Sequence, residues 1–280
     1  MVSSANSQKN GFVIVDKDPG WTSHDVVART RKILDTRKVG HSGTLDPPAT
    51  GVLIIGVGKA TRLLKFITDL PKRYTATMVL GTETSTLDAE GQVTFTQDPS
   101  GITLEDLKSA ASQYTGEILQ IPPMVSAVKV NGKRLYELAR EGKSIEREPR
   151  TIHIHNLTIE STPEEHVYEL SVACGSGTYV RSLVSDIARS AGAVAHVGTL
   201  RRNAIGSFVE SEADPIEGIK LIGMAEGLRD YPRVSVNSKD AALVNVGKVF
   251  DKDHFALEDS AGPWAFTDQQ GELLAVYKPH

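Results

Sequence analysis

Short runs of apolar residues separated by turn residues dominate this chain, with helix-like patterns between them. Residues 11–16 (GFVIVD) and 52–57 (VLIIGV) are continuous apolar runs of the kind that form buried strands. Residues 152–159 and 168–172 alternate apolar and polar positions, which predicts strands with one buried face. Because strand patterns predominate, we expect an α+β fold with a mixed, mostly antiparallel sheet and flanking helices.

Helical spacing of apolar residues marks several segments between these strands. Thr22 with Asp25 three positions on has the pattern of an N-terminal capping box, which predicts a helix that ends near Asp35. Residues 104–114 and 179–190 each carry an apolar stripe at helical spacing. These helices would cover the buried faces of the strands.

The segment between the first helix and the strand at 52–57 is unusual in composition. Residues 37–51 (RKVGHSGTLDPPATG) contain three Gly and two Pro, so a loop of closely specified backbone shape is expected. An Asp before Pro, here Asp46, is commonly a turn residue that accepts backbone N–H bonds. Flanking glycines instead favour a reactive group, because they let a ligand approach the backbone. Composition alone leaves both interpretations open.

From about residue 232 the pattern changes to short apolar runs broken by Gly, Asp and Pro. A chain of 280 residues is longer than one ordinary core requires. We therefore predict a large domain at residues 1–230 and a small β-rich C-terminal domain at residues 231–280.

Composition excludes several classes of protein. With 40% apolar and 24% charged residues, the chain is neither fibrous nor disordered. No stretch approaches the roughly 20 apolar residues of a membrane helix, and the first ten residues lack the apolar core of a secretory signal. A single cysteine, Cys174, cannot form an internal disulfide and fits a reducing compartment. We expect a cytoplasmic protein that does not associate with membranes.

Charge is distributed unevenly along the chain. The net charge is −4, yet residues 1–80 contain 12 Lys or Arg against six Asp or Glu. An acidic protein can still bind nucleic acid through one basic face, since phosphate contacts are local. A solvated surface with uneven charge is the alternative. Residues 59–73 (five basic, one acidic) and 129–150 (seven basic, four acidic) are the candidate stretches for such a basic face.

Residues 40–53 (GHSGTLDPPATGVL) resemble the catalytic motif of the TruB family of tRNA pseudouridine synthases, whose pattern is close to GHxGxLDPxATGxL. Further blocks similar to those of the family follow in the same order: residues 15–17, 72–74, 84–91, 121–129, 177–181 and 200–202. Together they span about residues 11 to 205. The resemblance covers the whole first domain apart from its ends.

By this resemblance Asp46 is the catalytic carboxylate, Tyr74 the aromatic side chain that stacks on the target uracil, and Arg181 the partner of Asp46. His41 would face the flipped nucleotide, Lys17 would support the site from the first strand, and Leu200 would line the pocket. The residues expected at the substrate are Lys17, His41, Leu200, Asp88 and Lys129.

The resemblance also implies a reaction and a partner. The expected activity is conversion of uridine to pseudouridine at position 55, in the T-arm loop of tRNA, by a monomer without cofactor, metal or protein partner. The expected architecture is the pseudouridine synthase fold with a central RNA-binding cleft. A mobile insertion at about residues 122–150 would fold over the T-arm, and the C-terminal domain is similar in position and β character to the RNA-binding PUA module.

The chemistry of this reaction suits the residue types. The bond from ribose C1′ to uracil N1 breaks and a bond from C5 to C1′ forms, so the base must leave the stack. The carboxylate could attack the sugar, act as a base in glycal formation, or attack the ring, and the sequence leaves these open. A guanidinium beside Asp46 would favour its ionised form, whereas burial alone would favour protonation.

Two other functions are compatible with parts of this pattern. An RNA-binding protein without catalysis would need Tyr74 and the basic insertion but not Asp46. An aspartate-based hydrolase would need a second carboxylate or a metal near Asp46, and the sequence places neither there. His153 and His155 alternate along a predicted strand, which is typical of exposed strand residues rather than metal ligands.

Three positions depart from the family pattern. The proline of the first block is displaced by one position in Asp16-Lys17-Asp18-Pro19, which makes the reach of Lys17 uncertain from sequence. Ser85 stands where Asp is common, and Gly175 where Ser is common.

Overall fold

The computed structural model describes residues 9–126, 129–130, 132–135, 137, 141, 145–257 and 262–279. The helices within these ranges are α1 (Ser23–Ile33), α2 (Leu64–Thr68), α3 (Leu104–Ala111), α4 (Val180–Ser190) and α5 (Ser238–Asn245). The strands are β1 (Gly11–Lys17), β2 (Val39–His41), β3 (Thr50–Val57), β4 (Lys72–Leu80), β5 (Thr82–Thr84), β6 (Val93–Thr96), β7 (Gly116–Gln120), β8 (Lys129–Val130), β9 (Lys133–Arg134), β10 (Arg150–Ser161), β11 (Val167–Cys174), β12 (Ala195–Ile205), β13 (Phe208–Val209), β14 (Arg233–Ser235), β15 (Trp264–Thr267) and β16 (Leu273–Tyr277).

Nine strands of the described chain form one sheet, in the order β1-β3-β12-β4-β11-β10-β7, with β2 beside β3 and β13 beside β12. Its neighbouring strands are antiparallel except for a short parallel contact between β3 and β12, where Thr50 faces Arg201. The predicted mixed, mostly antiparallel sheet is therefore confirmed. The parallel contact puts the end of the 37–51 loop beside β12.

Helices cover the buried faces of this sheet as the apolar stripes predict. Leu183 and Val184 of α4 join Leu107 of α3 in the apolar core against β4, β10 and β11. Val26 and Val27 of α1 pack with the core of β1 and β3. Packing against the sheet thus fixes the positions of α1 and α4 relative to the loop between α1 and β3.

The predicted capping box at the start of α1 is present. The Asp25 amide donates to Thr22 Oγ1 at 3.1 Å, and the Thr22 amide donates to Asp25 Oδ2 at 2.9 Å. The helix predicted at 104–114 is shorter than expected, because α3 ends at Ala111 and a 3-10 turn, Ser112–Tyr114, follows.

Strand β12 lies inside the large sheet, between β3 and β4, and the apolar pattern of the sequence does not predict it. Its sequence is AHVGTLRRNAI, and its register against β4 shifts between Val197 and Leu200 and again between Arg202 and Ala204. A Cβ on Gly198 would lie 2.7 Å from Thr77 Oγ1, so any larger residue here would displace that side chain of β4. Leu200 lies between the two shifts.

A second, small sheet of order β14-β15-β16 lies near the C-terminus with α5 against it. The small β-rich C-terminal sheet is thus confirmed. Ala265 of β15 belongs to the same apolar cluster as Phe66 and Ile205, so the small sheet packs on the large one. The boundary between residues 230 and 231 stays a prediction.

Within the described residues, no helix combines the length and apolar character that crossing a bilayer would require. Of the insertion predicted at 122–150, residues 127–128, 131, 136, 138–140 and 142–144 lie outside the described residues.

Candidate active site

The ion pair predicted between Asp46 and Arg181 is present. Arg181 Nη2 lies 2.9 Å from Asp46 Oδ2, with the arginine side chain 3% exposed and the aspartate side chain 34% exposed. Asp46 lies on the loop at residues 40–51, called the Asp46 loop below, and Arg181 lies in the first turn of α4. A buried cation therefore holds a carboxylate that solvent still reaches.

Arg181 also contacts groups other than Asp46. Its Nη1 lies 3.5 Å from Asp88 Oδ2 and donates to the Thr86 carbonyl at 2.6 Å. Its Nη2 donates to the Val125 carbonyl at 2.9 Å. Two carboxylates and two carbonyls fix the guanidinium, so its position is closely determined.

Burial raises the pKa of Asp46 above the usual carboxyl value. The nearby Asp88 carboxylate acts in the same direction, while Arg181 and Lys17 oppose it. Arg181 and Lys17 together therefore do not return the pKa of Asp46 to its ordinary value, and burial outweighs the guanidinium that was expected to favour the ionised form.

Lys17 supports the Asp46 loop from β1. Its Nζ donates to the carbonyls of Asp18 at 2.9 Å, Trp21 at 2.7 Å and Pro47 at 3.1 Å. The displaced proline at position 19 thus leaves Lys17 within reach of the residue after Asp46. Lys17 is 1% exposed, and burial lowers its pKa to about 8.

Other buried side chains hold the same loop. Ser23 Oγ accepts from the Leu45 amide at 2.9 Å. Arg202 Nε donates to the Val52 carbonyl at 2.7 Å, and its guanidinium reaches the Gly43 carbonyl at 3.4 Å. The bonds to Leu45 and Gly43 replace the regular pairing that the loop lacks, and the bond to Val52 holds the strand that follows it.

Gly51 explains part of the glycine content of the loop. Its φ is +101°, and a Cβ there would lie 2.2 Å from the Arg202 carbonyl oxygen. Only glycine fits where the loop joins β3 beside β12.

A cavity of about 240 Å³ lies between the Asp46 loop, β4, β12 and the turn before α4. Its polar and aromatic lining residues are Ser42, Thr44, Asp46, Thr68, Lys72, Tyr74, Ser126, Ser176, Thr178, Tyr179, Arg181 and Arg202. Leu200 supplies apolar surface to this cavity and to a neighbouring one of about 400 Å³, which also includes Asp46 and Arg181. Asp46 thus lines both cavities, which together form one cleft.

Tyr74 is partly buried in the middle of the sheet, opposite Arg202 of β12 and Val172 of β11. Burial raises its pKa above the usual value of 10.0, so the phenol is protonated near neutral pH. The structure therefore brings together Asp46, Arg181, Tyr74 and Leu200 around one cavity.

The remaining expected site residues lie elsewhere. Asp88 is behind Arg181 and lines the neighbouring cavity. His41 ends β2 with its ring edge-on to His24, ring centroids 5.3 Å apart, and is not among the described residues that line the 240 Å³ cavity. Lys17 is buried beneath the loop, and the side chain of Lys129 lies outside what the structure describes.

Three further side chains line the cavity without having been predicted as site residues: Lys72, Tyr179 and Arg202. Each lies two positions from a predicted site residue: Lys72 before Tyr74, Tyr179 before Arg181, and Arg202 after Leu200. Position within the family-like blocks was therefore the available signal. Lys72 Nζ donates to the Thr68 carbonyl, and burial lowers the pKa of Lys72 to about 8. It therefore points inward, unlike its exposed neighbour Arg73.

A second carboxylate, which the sequence does not place near Asp46, is present as Asp88 on the shared guanidinium. Within the described ranges, no three His, Cys, Asp or Glu side chains are grouped as metal ligands. His153 and His155 lie on one strand with their rings 4.5 Å apart. Cys174 is buried, and burial raises its pKa to about 11.

Residues 31–180 match the model of a family described as TruB family pseudouridylate synthase, N-terminal domain. The chain is 38% identical over 288 residues to tRNA pseudouridine synthase B of Shouchella clausii, across 98% of this chain and 94% of that protein. It is 43% identical over 276 residues to the protein of the same name in Rhodococcus jostii, across 95% of this chain and 89% of that protein.

Among solved structures, the fold is similar to a chain in the crystal structure of a Cbf5-Nop10-Gar1 complex, with a TM-score of 0.73 and 27% identity. That similarity covers 95% of this chain and 77% of the other. The fold, the family match and the relatives along nearly the full chain agree with the motif at the Asp46 loop. The chain belongs to the TruB family of pseudouridine synthases.

Proposed function

We propose that this pseudouridine synthase converts uridine to pseudouridine at position 55, in the T-arm loop of tRNA, with Asp46 as the reacting carboxylate. Relatives named tRNA pseudouridine synthase B support tRNA as the substrate. The observation that carries the role of Asp46 is its position: a carboxylate 2.9 Å from a buried guanidinium, at the wall of a cavity that also includes Tyr74 and Leu200.

The reaction exchanges one glycosidic bond for another. The C1′–N1 bond breaks, the uracil turns, and C5 bonds to C1′ while the C5 proton leaves, so no oxidant or energy source is needed. An ionised Asp46 can act on the sugar or the ring in any of the three ways left open above. Arg181 orients that carboxylate, and the 34% exposure of Asp46 leaves it reachable by substrate.

The target base must leave the RNA stack to reach this cavity. Tyr74 would replace the lost stacking, which is worth roughly 1–3 kcal/mol per base. Leu200 would close the other side of the ring. The phenol of Tyr74 lies at the same cavity and would relay the C5 proton to solvent, its oxygen accepting that proton as its own proton is released.

Exposed basic residues of the 59–73 stretch are the proposed phosphate contacts. Lys59, Arg62, Lys65 and Arg73 are exposed, whereas Lys72 of the same stretch is buried. We place the tRNA along this face, with the insertion at 122–150, including Lys129, and a PUA-like domain at 231–280 as further RNA contacts. The catalytic domain at 1–230 would act as a cytoplasmic monomer.

The test uses a T-arm stem-loop RNA carrying tritium at C5 of the target uridine. The protein is expected to release the tritium and yield pseudouridine on nucleoside chromatography. Asp46→Asn should slow this by at least about 1,000-fold while still binding the RNA. Asp98→Asn, at an exposed carboxylate, is the matched control and should retain activity.

The other outcomes separate the competing functions. RNA binding without product in both the unmutated protein and Asp46→Asn would indicate a binding protein. Release of free uracil would indicate a hydrolase, for which Asp88 would supply the second carboxylate.

A further inference from the structure

The base of the predicted insertion is joined to the first turn of α4 by a buried amide. Gln120, the last residue of β7, is 2% exposed. Its Nε2 donates to the Tyr179 carbonyl at 3.0 Å, and its Oε1 accepts from the Tyr179 amide at 2.8 Å. One side chain thus fixes both polar groups of a single backbone residue.

Other hydrogen bonds join the same two segments. We call residues 120–126 the root segment. Ser182 Oγ donates to the Ile121 carbonyl at 3.2 Å, and Arg181 Nη2 donates to the Val125 carbonyl at 2.9 Å. The root segment and the start of α4 are therefore in contact at successive positions along the helix.

Tyr179 needs an outside partner because of where it lies. It is the N-cap residue of α4 and its own side chain makes no capping hydrogen bond. The first amides of a helix have no intrahelical acceptor, so an uncapped one would be costly when buried. Gln120 accepts from the amide of the N-cap residue, as the N3 side chain does in a capping box, and also sets the direction of the backbone that enters the helix.

That direction determines where Arg181 lies. Arg181 follows Tyr179 by two residues, and the same Nη2 atom contacts both the Val125 carbonyl and Asp46 Oδ2. A change in the entry of α4 would therefore alter the contact with Asp46 before it altered the distant core.

We propose that Gln120 is a positioning residue that holds Arg181 against Asp46 through the backbone of Tyr179. The inference rests on the proposed role of Asp46. Gln120 does not line the cavity, so its effect is on the rate of the chemical step and not on RNA contact.

The first test is Gln120→Met, which keeps the length of the side chain and removes both hydrogen bonds. The single-turnover rate of pseudouridine formation should fall by about tenfold or more, while the Kd for the stem-loop RNA stays unchanged. Gln113→Met, at an exposed glutamine, is the matched control and should leave both values unchanged. Thermal unfolding of each variant establishes that it is folded.

A second variant tests the proposal through the pH dependence of the reaction rate. A protonated Glu at position 120 has one donor and one acceptor and can make both bonds to Tyr179, whereas an ionised Glu can only accept. The rate of Gln120→Glu relative to the unmutated protein should therefore rise as pH falls. The relative rate of Gln120→Met should not rise as pH falls. In that variant Arg181 is held less firmly against Asp46, so Asp46 is easier to protonate and less of it is ionised at low pH. The charged groups around this joint are Arg150, opposite Gln120 on β10, and Arg147, which donates to the Pro122 carbonyl of the root segment, with Arg181, Asp46 and Asp88.

An unchanged single-turnover rate in folded Gln120→Met would overturn the inference, as would a loss explained entirely by weaker RNA binding. If Gln120→Met does not fold, the pH series of Gln120→Glu decides, and a relative rate that stays flat or falls with decreasing pH overturns the inference. Failure of the proposed function is distinct, because the unmutated protein would then form no pseudouridine.

Discussion

The two sides of the cavity around Asp46 are held in place by different means. The Asp46 loop is irregular, and the buried cations of Lys17 and Arg202 donate to the Pro47 and Gly43 carbonyls within it. The opposite side is the start of a helix, which satisfies most of its own backbone and is capped by a neutral amide, Gln120. An opposite-charge pair occurs where the two sides meet, at Asp46 and Arg181.

The difference shows what each kind of backbone requires. Irregular backbone leaves carbonyls without partners, and one ammonium group can satisfy three of them. Lys17 does so for Asp18 and Trp21 between β1 and α1, and for Pro47 in the Asp46 loop. The cost is desolvation of a charge, visible in the lowered pKa of Lys17. A helix start needs few outside donors and acceptors, so an uncharged side chain is sufficient.

The strongest test of the comparison is removal of the charge at the junction. Arg181→Met leaves the Asp46 and Asp88 carboxylates without their shared cation. We expect activity to fall by about 100- to 1,000-fold and the free energy of unfolding to fall by about 3–5 kcal/mol. Single-turnover assays and denaturant unfolding measure the two effects.

Arg189→Met is the matched control on the same helix. Arg189 is 58% exposed and pairs with Glu83 at 2.5 Å, so its loss should change the free energy of unfolding by no more than about 1 kcal/mol. Equal destabilisation by the two substitutions would contradict a special role for the junction.

A smaller effect is expected from the loop side. Lys17→Met leaves three carbonyls without their donor, which should lower the free energy of unfolding by about 1–3 kcal/mol. Activity should fall as well, because Pro47 follows Asp46 directly and its carbonyl would no longer be held. Lys32→Met, at an exposed lysine on α1, should change neither the stability nor the activity. Full activity with Lys17→Met would mean that the loop keeps its shape without this cation.

The smallest effect is a shift in the pH dependence of the reaction. Asp46 must be ionised to react, so the single-turnover rate should fall as pH decreases through its raised pKa. Since the Asp88 carboxylate helps to raise that pKa, Asp88→Asn should move the acid limb to lower pH. Asp98→Asn, at an exposed carboxylate, should leave the limb in place. A limb that moves upward in Asp88→Asn would show that Asp88 acts mainly by orienting Arg181.

Much of the site could be predicted because it depends on one long motif and a few short blocks. The pairing of Asp46 with Arg181 and the presence of Tyr74 and Leu200 at the same cavity agree with those blocks. Gln120 was missed because its function is visible only from its two contacts with Tyr179. The place of His41 beside His24, away from the lining of the cavity, was not predictable from its position in the motif.

By itself, the sequence determined the local elements: strands from apolar runs, α1 from its capping box, and an irregular loop from its glycines and prolines. The tertiary structure decided which cation meets which acceptor, and that Asp88 shares Arg181 with Asp46. The physical reason is the separation along the chain over which each kind of interaction acts. Strand and helix preferences act between residues close in sequence, whereas ion pairing and desolvation depend on distances and burial that exist only after β3, β12 and α4 have packed together.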